Sequence, residues 1–179
     1  ANMGSKLFIS IAAGIPISQM EQTLGKESRI IRVMPNTPVL VGKGVAAFAG
    51  NQNAKEEDFR LVEKMFGSVG SAYRVEEKVL DTVTALSGSG PAYFYLFVDC
   101  LQKAAIAKGL KPDMALEMAT QTALGAATML LETKKSPEEL IAQVRSKGGT
   151  TEAALKVFEE NNLASLCDNA VQAAWMRSK

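Results

Sequence analysis

From Glu77 onward almost every segment of the chain carries helical spacing, which commits that part of the molecule to packing helix on helix. The spacing predicts helices over residues 79–86, 91–108, 112–133, 137–144, 151–160 and 163–177. Pro91, Pro112 and Pro137 each fall where a first turn would begin, the position at which a missing N–H costs nothing. Ser136, ahead of Pro137 and with Glu139 three residues on, reads as an N-cap with its reciprocal partner. Gly109 stops the first long helix. Ala104, Ala105, Ala107, Ala119, Ala123, Gly125, Ala126 and Ala127 allow helices to approach closely. Helices this apolar, attached to only part of a sheet, are expected to complete their core against another chain, so a homo-oligomer is predicted.

Before Glu77 the pattern is different. Residues 7–13 form a short apolar run ending at Gly14, expected to be a buried parallel strand. A helix over 18–24 closes at Gly25, and residues 29–34 form a second strand halted by Pro35. Residues 45–49 and 72–75 read as further strands flanking an amphipathic helix over 53–66. Strand and helix alternate, as in an α/β layer.

Bulk properties narrow the function by exclusion. With 20 basic and 19 acidic residues the net charge is +1, so no global field draws the chain to nucleic acid or an anionic membrane. No apolar run approaches the roughly 18 residues of a membrane span, and no secretory leader opens the sequence, so a cytoplasmic protein is expected. Ala1-Asn2-Met3-Gly4 has an internal methionine and no structural pattern, which suggests non-native residues. Cys100 and Cys167 lie in apolar stretches without CxxC spacing and read as reduced, buried thiols. Histidine is absent, which removes His-based triads, a His general base and most zinc sites; no metal is expected. Acid–base work falls to hydroxyls, carboxylates, Lys, Tyr or a cofactor.

Several segments each have a functional and a plain structural reading. Gly148-Gly149-Thr150-Thr151-Glu152 precedes a well-formed helix, where bare backbone N–H groups and the helix dipole favour a carboxylate; it also reads as an ordinary helix cap. Ser87-Gly88-Ser89-Gly90-Pro91 reads as a kink between helices or as a surface for a ligand ring, and it is not a strand-following G-x-G-x-x-G. Pro35-Asn36-Thr37-Pro38 and Ala12-Ala13-Gly14 end strands at the sheet edge where α/β folds bind ligands, or else form tight turns. Glu76 and Glu77 read as solvated carboxylates at the boundary, and Lys134 and Lys135 as surface charges. Tyr93, Phe94, Tyr95 and Phe97 read as core aromatics of a long helix, and Trp175 as packing for a terminal helix or an oligomer contact.

Taken in order, Ser10-Ile11-Ala12-Ala13-Gly14, Met34-Pro35-Asn36-Thr37-Pro38, Ser87-Gly88-Ser89-Gly90-Pro91-Ala92-Tyr93 and Gly148-Gly149-Thr150-Thr151 resemble the pyrroline-5-carboxylate reductases. The resemblance runs from about Lys6 onward. It implies a fold of class α/β, a partial Rossmann-type sheet over residues 1–76 left from a dinucleotide-binding domain, followed by an all-α helical oligomerisation domain over 77–179. It also implies NADPH or NADH as hydride donor and 1-pyrroline-5-carboxylate as small-molecule substrate, reduced to L-proline. The carboxylate cradle would be the N–H groups around Gly148, Gly149 and Thr150, with the Thr151 hydroxyl as catalytic partner of the ring nitrogen and Ser146 and Glu77 also on the substrate side. Cofactor contacts would come from Ala12, Ala13, Gly14, Pro35, Asn36 and Gln143. Gln143 stands where some members carry Asn, and Ser146-Lys147 where Ser-Pro is frequent. The Gly-rich loop and first strand of such reductases are not in these residues, so weak cofactor binding and little turnover are expected of this polypeptide alone. The rival reading is a helical assembly module without catalysis; a hydroxy-acid reductase shares the architecture but not these strings.

Overall fold

The computed structural model describes residues Lys6 to Lys179; the segment Ala1-Asn2-Met3-Gly4 lies outside them. Four strands, β1 (Leu7–Ser10), β2 (Arg29–Pro35), β3 (Gly44–Gly50) and β4 (Gly70–Arg74), form one mixed sheet in the order β1-β2-β3-β4. The β1/β2 and β3/β4 pairs are parallel, whereas β2 and β3 run antiparallel. Helices α1 (Ile17–Leu24) and α2 (Glu56–Gly67) complete the α/β part. Then come α3 (Leu80–Val83), α4 (Gly90–Ile106), α5 (Pro112–Thr133), α6 (Pro137–Val144), α7 (Thr150–Glu160) and α8 (Leu163–Ser178). The fold class is therefore the one expected, a partial α/β sheet followed by helices.

Strand β2 alternates its side chains between two cores. Ile30 joins Ile17, Met20, Ala47, Ala49 and Leu80 on one face, and Ile31 joins Val33, Ala46, Phe48, Phe59 and Val62 on the other. Ile30 and Ile31 are both 0% exposed, which explains why this strand reads as unbroken hydrophobic sequence.

Strand β1 departs from expectation. It stops at Ser10 rather than reaching Ala13, and its residues are half-buried. The reason is its pairing, for among the described residues only β2 borders it, and that register ends at Ser10↔Arg32. Beyond that point Ala12 N–H turns back to Ser10 Oγ at 3.3 Å, and Gly14 takes φ +71°. Helix α2 likewise begins later than its periodicity suggests, because the buried Asp58 carboxylate accepts Lys55 N–H at 2.8 Å and fixes the start there.

Spatially the chain forms two compact units: the residues up to Pro91 together with Ala170–Lys179, and Ala92–Asn169. The change in sequence pattern at Glu77 precedes this division. The second unit corrects two expectations. Phe94, Tyr95 and Phe97 are exposed rather than core residues, at 70%, 66% and 45%, although Phe97 does meet Phe158 with ring centroids 6.1 Å apart. Cys100 and Cys167 are free and exposed, not buried. Both follow from one cause, since helices α4 to α7 and the first turns of α8 leave large apolar side chains bare in the single chain, with Ala115 the one buried apolar residue of that unit among those described.

Candidate functional site: a helix N-terminus that leaves backbone donors open

Helix α7 begins at Thr150 behind Gly149, which has extended backbone (φ −82°, ψ 169°) and no side chain with which to cap it. A helix start leaves its first N–H groups without intrahelical acceptors. Here those of Thr150, Thr151 and Glu152 meet no acceptor among the described residues, and with the dipole they form an anion-attracting end. Thr151 itself is half-buried.

The loop feeding this helix is built for glycine. Gly148 has φ +71°, the left-handed region that side chains disfavour. At Gly149 a Cβ would collide with the Ser146 hydroxyl oxygen. Not all the expected cradle donors remain available. Gly149 N–H donates to Ser146 O at 3.0 Å, and Gly148 N–H donates to the Glu152 carboxylate at 2.8 Å. Arg145 holds that carboxylate from the other side, Nε lying 3.7 Å from Oε1, while its guanidinium also reaches Glu159 at 3.9 Å. A concavity of about 380 Å³ opens over Arg145, Gly148, Gly149, Glu152, Ala153 and Lys156. Sequence reasoning does not reach Arg145, and it names Glu152 only as the end of the Gly148–Glu152 segment, with no role in the site. The signal for Glu152 was its place three residues past the cap, the reach-back position of a capping box.

All the cofactor-end candidates but Gln143 belong to the first unit. Ala12, Ala13 and Gly14 are exposed at the end of β1, and Ala13 and Gly14 border a concavity of about 390 Å³ with Thr84, Ser89, Ala174 and Arg177. Small side chains at the C-terminal edge of a parallel strand suit close approach of a cofactor's backbone or ring, so the residues present fit part of a dinucleotide.

Asn36 has a different neighbourhood from a free ligand contact. Its Oδ1 accepts Val45 N–H at 2.8 Å and its Nδ2 donates to Ser87 O at 3.0 Å. That carbonyl needs a donor, because the residue four positions on is Pro91, which has no N–H. The chain runs helically from α3 to α4 through a wide turn at Thr84–Gly88, with Ser89 N–H donating to Thr84 O at 2.8 Å, five residues back. The predicted kink is thus a π-turn, latched by Asn36. Pro35 precedes it as the last residue of β2.

Glu77 is not simply solvated. Its Oε1 accepts Ile17 N–H at 2.7 Å, supplying the cap that Pro16 cannot give α1, and lies 3.2 Å from the buried Arg32 guanidinium. Asp81 stands 3.9 Å from the same guanidinium. Neighbouring Glu76 is exposed, its carboxyl held below the usual range by a hydrogen bond and charge from Lys78. Gln143 lies in the second unit on α6, beside an apolar cavity of about 330 Å³ lined by Met129, Leu130, Leu140 and Ile141. Among the described residues no group of His, Cys, Asp or Glu could hold a metal ion, and no helix is long and apolar enough to cross a membrane.

Comparison with known proteins places this geometry in a family. The family described as pyrroline-5-carboxylate reductase dimerisation matches residues 77–179. Pyrroline-5-carboxylate reductase of Pisum sativum is 43% identical over 174 residues, which cover 97% of this chain and 63% of that protein. The enzyme of Aquifex aeolicus is 41% identical, over 97% of this chain and 65% of its own. The chain therefore spans less than two thirds of the length of these relatives. Among solved structures, Plasmodium falciparum pyrroline carboxylate reductase with NADP bound superposes with a TM-score of 0.93 at 37% identity, covering 99% of this chain and 71% of that one. The Coxiella burnetii enzyme gives 0.94 at 41% identity, over 98% and 66%. With its glycine-built helix start, its latched π-turn and a family match across all the residues from Glu77 onward, this chain belongs to the pyrroline-5-carboxylate reductase family.

Proposed function

We propose that the chain serves NAD(P)H-dependent reduction of 1-pyrroline-5-carboxylate to L-proline, and that helix α7 receives the substrate's carboxylate. The observation that carries this reading is the open row of N–H groups at Thr150, Thr151 and Glu152, set behind two glycines that cannot be replaced without strain or collision. A planar cyclic imine with an α-carboxylate needs an anion holder, a hydrogen-bonding group at the ring nitrogen and a fixed face for hydride arrival. Backbone donors at a helix start meet the first need without a cationic side chain. The Thr151 hydroxyl meets the second, orienting the nitrogen and holding its proton. A bound nicotinamide cofactor would supply the hydride to the imine carbon, and Ala12, Ala13 and Gly14 offer it a surface without bulky side chains. Helices α4 to α8 join copies of the chain into a dimer or larger assembly, in a cytoplasmic enzyme.

Amide hydrogen exchange with L-proline as probe tests the site. Protection gained at Thr150, Thr151 and Glu152 supports it, whereas assembly of the chain without any response there favours a helical assembly module. We also propose that this 179-residue polypeptide alone holds NADPH weakly, since no Gly-rich loop follows a strand within it. Turnover near that of a full-length relative would sink that part.

A further inference from the structure

Helix α7 carries half of a capping box. In the complete motif the N-cap side chain accepts an N–H of the first turn, while the third helical residue reaches back with its carboxylate to the N-cap N–H. Here Glu152 occupies that third position and does reach back, but to Gly148, one residue before the cap, at 2.8 Å. The reciprocal half is missing, because the cap is Gly149 and a side chain there would strike Ser146. One carboxylate thus fixes the loop while the first-turn donors stay open. Arg145, just past the end of α6, approaches the other oxygen of the same carboxylate at 3.7 Å, a half-exposed ion pair that contributes little.

We infer that Glu152 is a positioning residue, which holds Gly148 in its left-handed conformation and so keeps the Thr150 and Thr151 donors aimed at the ligand's carboxylate. This rests on the function proposed above. What matters is the reach of the side chain and its acceptor oxygen, not its charge. Glutamine retains both reach and acceptor; aspartate retains charge but is one methylene too short.

The test measures L-proline affinity and Gly148 amide exchange in the chain and in Glu152→Gln, Glu152→Asp and Glu152→Ala, with folding checked by circular dichroism. Glu152→Gln is expected to bind within about threefold of the parent and to keep Gly148 protected. Glu152→Asp and Glu152→Ala are expected to bind roughly tenfold more weakly, with Gly148 exchanging freely, a loss typical of one hydrogen bond to a charged group. Affinity restored by aspartate and lost with glutamine would show that charge governs the site, and would overturn the inference. Equal affinity in all four proteins overturns it too. Should alanine not fold, the glutamine and aspartate pair decides alone. Absence of L-proline binding in the parent overturns the proposed function and this inference together, which separates that outcome from the others.

Discussion

The two compact units bury their apolar side chains to very different degrees. In the first, both faces of β2 are sealed, and Phe48 is 1% exposed against Phe59, Val62 and the sheet. In the second, residues as large as Phe94 at 70% and Leu131 at 79% face outward. A folded chain seldom leaves so much contiguous apolar surface to water. The α/β unit thus contains its own core within one chain, whereas the helical unit is a core in search of its other half. The family match over 77–179 is described as dimerisation, which agrees with a second copy as the covering partner.

The largest effect is expected where burial is complete. Phe48→Ala removes a ring 6.4 Å from Phe59 at the centre of one core and should cost about 3–5 kcal/mol, read as a lowered denaturant midpoint. Next comes Phe94→Asp, which places a charge on the open face of α4. Loss of the ring's burial and desolvation of the carboxylate should weaken self-association by about 100-fold, close to 2.7 kcal/mol, in sedimentation equilibrium. Leu61→Asp, on the exposed side of α2, should leave association unchanged. If Leu61→Asp dissociated the assembly and Phe94→Asp did not, the contrast between the units would be reversed.

The same contrast separates what sequence reveals from what it hides. Helix α5 was legible to the residue, Pro112 to Thr133, because helix starts and stops are local chemistry. The Gly148–Thr151 start was legible for the same reason. Asn36 was not, since its role depends on an orphaned carbonyl at Ser87 far along the chain, although Pro91 four residues later was a clue to that orphan. Glu77 reads as solvated from its neighbours and as substrate-facing only by resemblance, while the partners it has here, Ile17 and Arg32, are distant in sequence. The aromatic run at 93–97 reads as core, yet Phe94, Tyr95 and Phe97 are exposed, because periodicity shows which face is apolar and not whether the chain itself covers that face.

A smaller effect tests the anchoring within the first unit. Glu77→Ala strips the acceptor from Ile17 N–H and the nearer carboxylate from Arg32, and should cost about 1–3 kcal/mol. Asp81, at 3.9 Å, remains to neutralise the guanidinium in part, which keeps the loss below that of an isolated buried charge. Glu77→Gln should recover much of it through the retained acceptor for Ile17. A loss confined to self-association, with no change in the unfolding midpoint, would place Glu77 at a subunit contact instead.

The smallest effect lies on the open unit. On α4 the Asp99 carboxyl is held below the usual aspartate range, first by the hydrogen bond from Lys103 at 2.6 Å and then by that from Gln102. A carboxyl lowered in the folded state stabilises fully above its unfolded value, and the contribution disappears as pH falls through the folded one. Lys103 is raised by the same contact, so its share is lost only at strongly alkaline pH. The pair is exposed, and screening should keep its effect slight. Asp99→Asn should therefore lower the thermal midpoint marginally at neutral pH and not at all in strong acid, with added salt shrinking the neutral difference. A large neutral difference insensitive to salt would mean that Asp99 is covered in the assembly, and would extend the hidden surface of the helical unit to this side of α4.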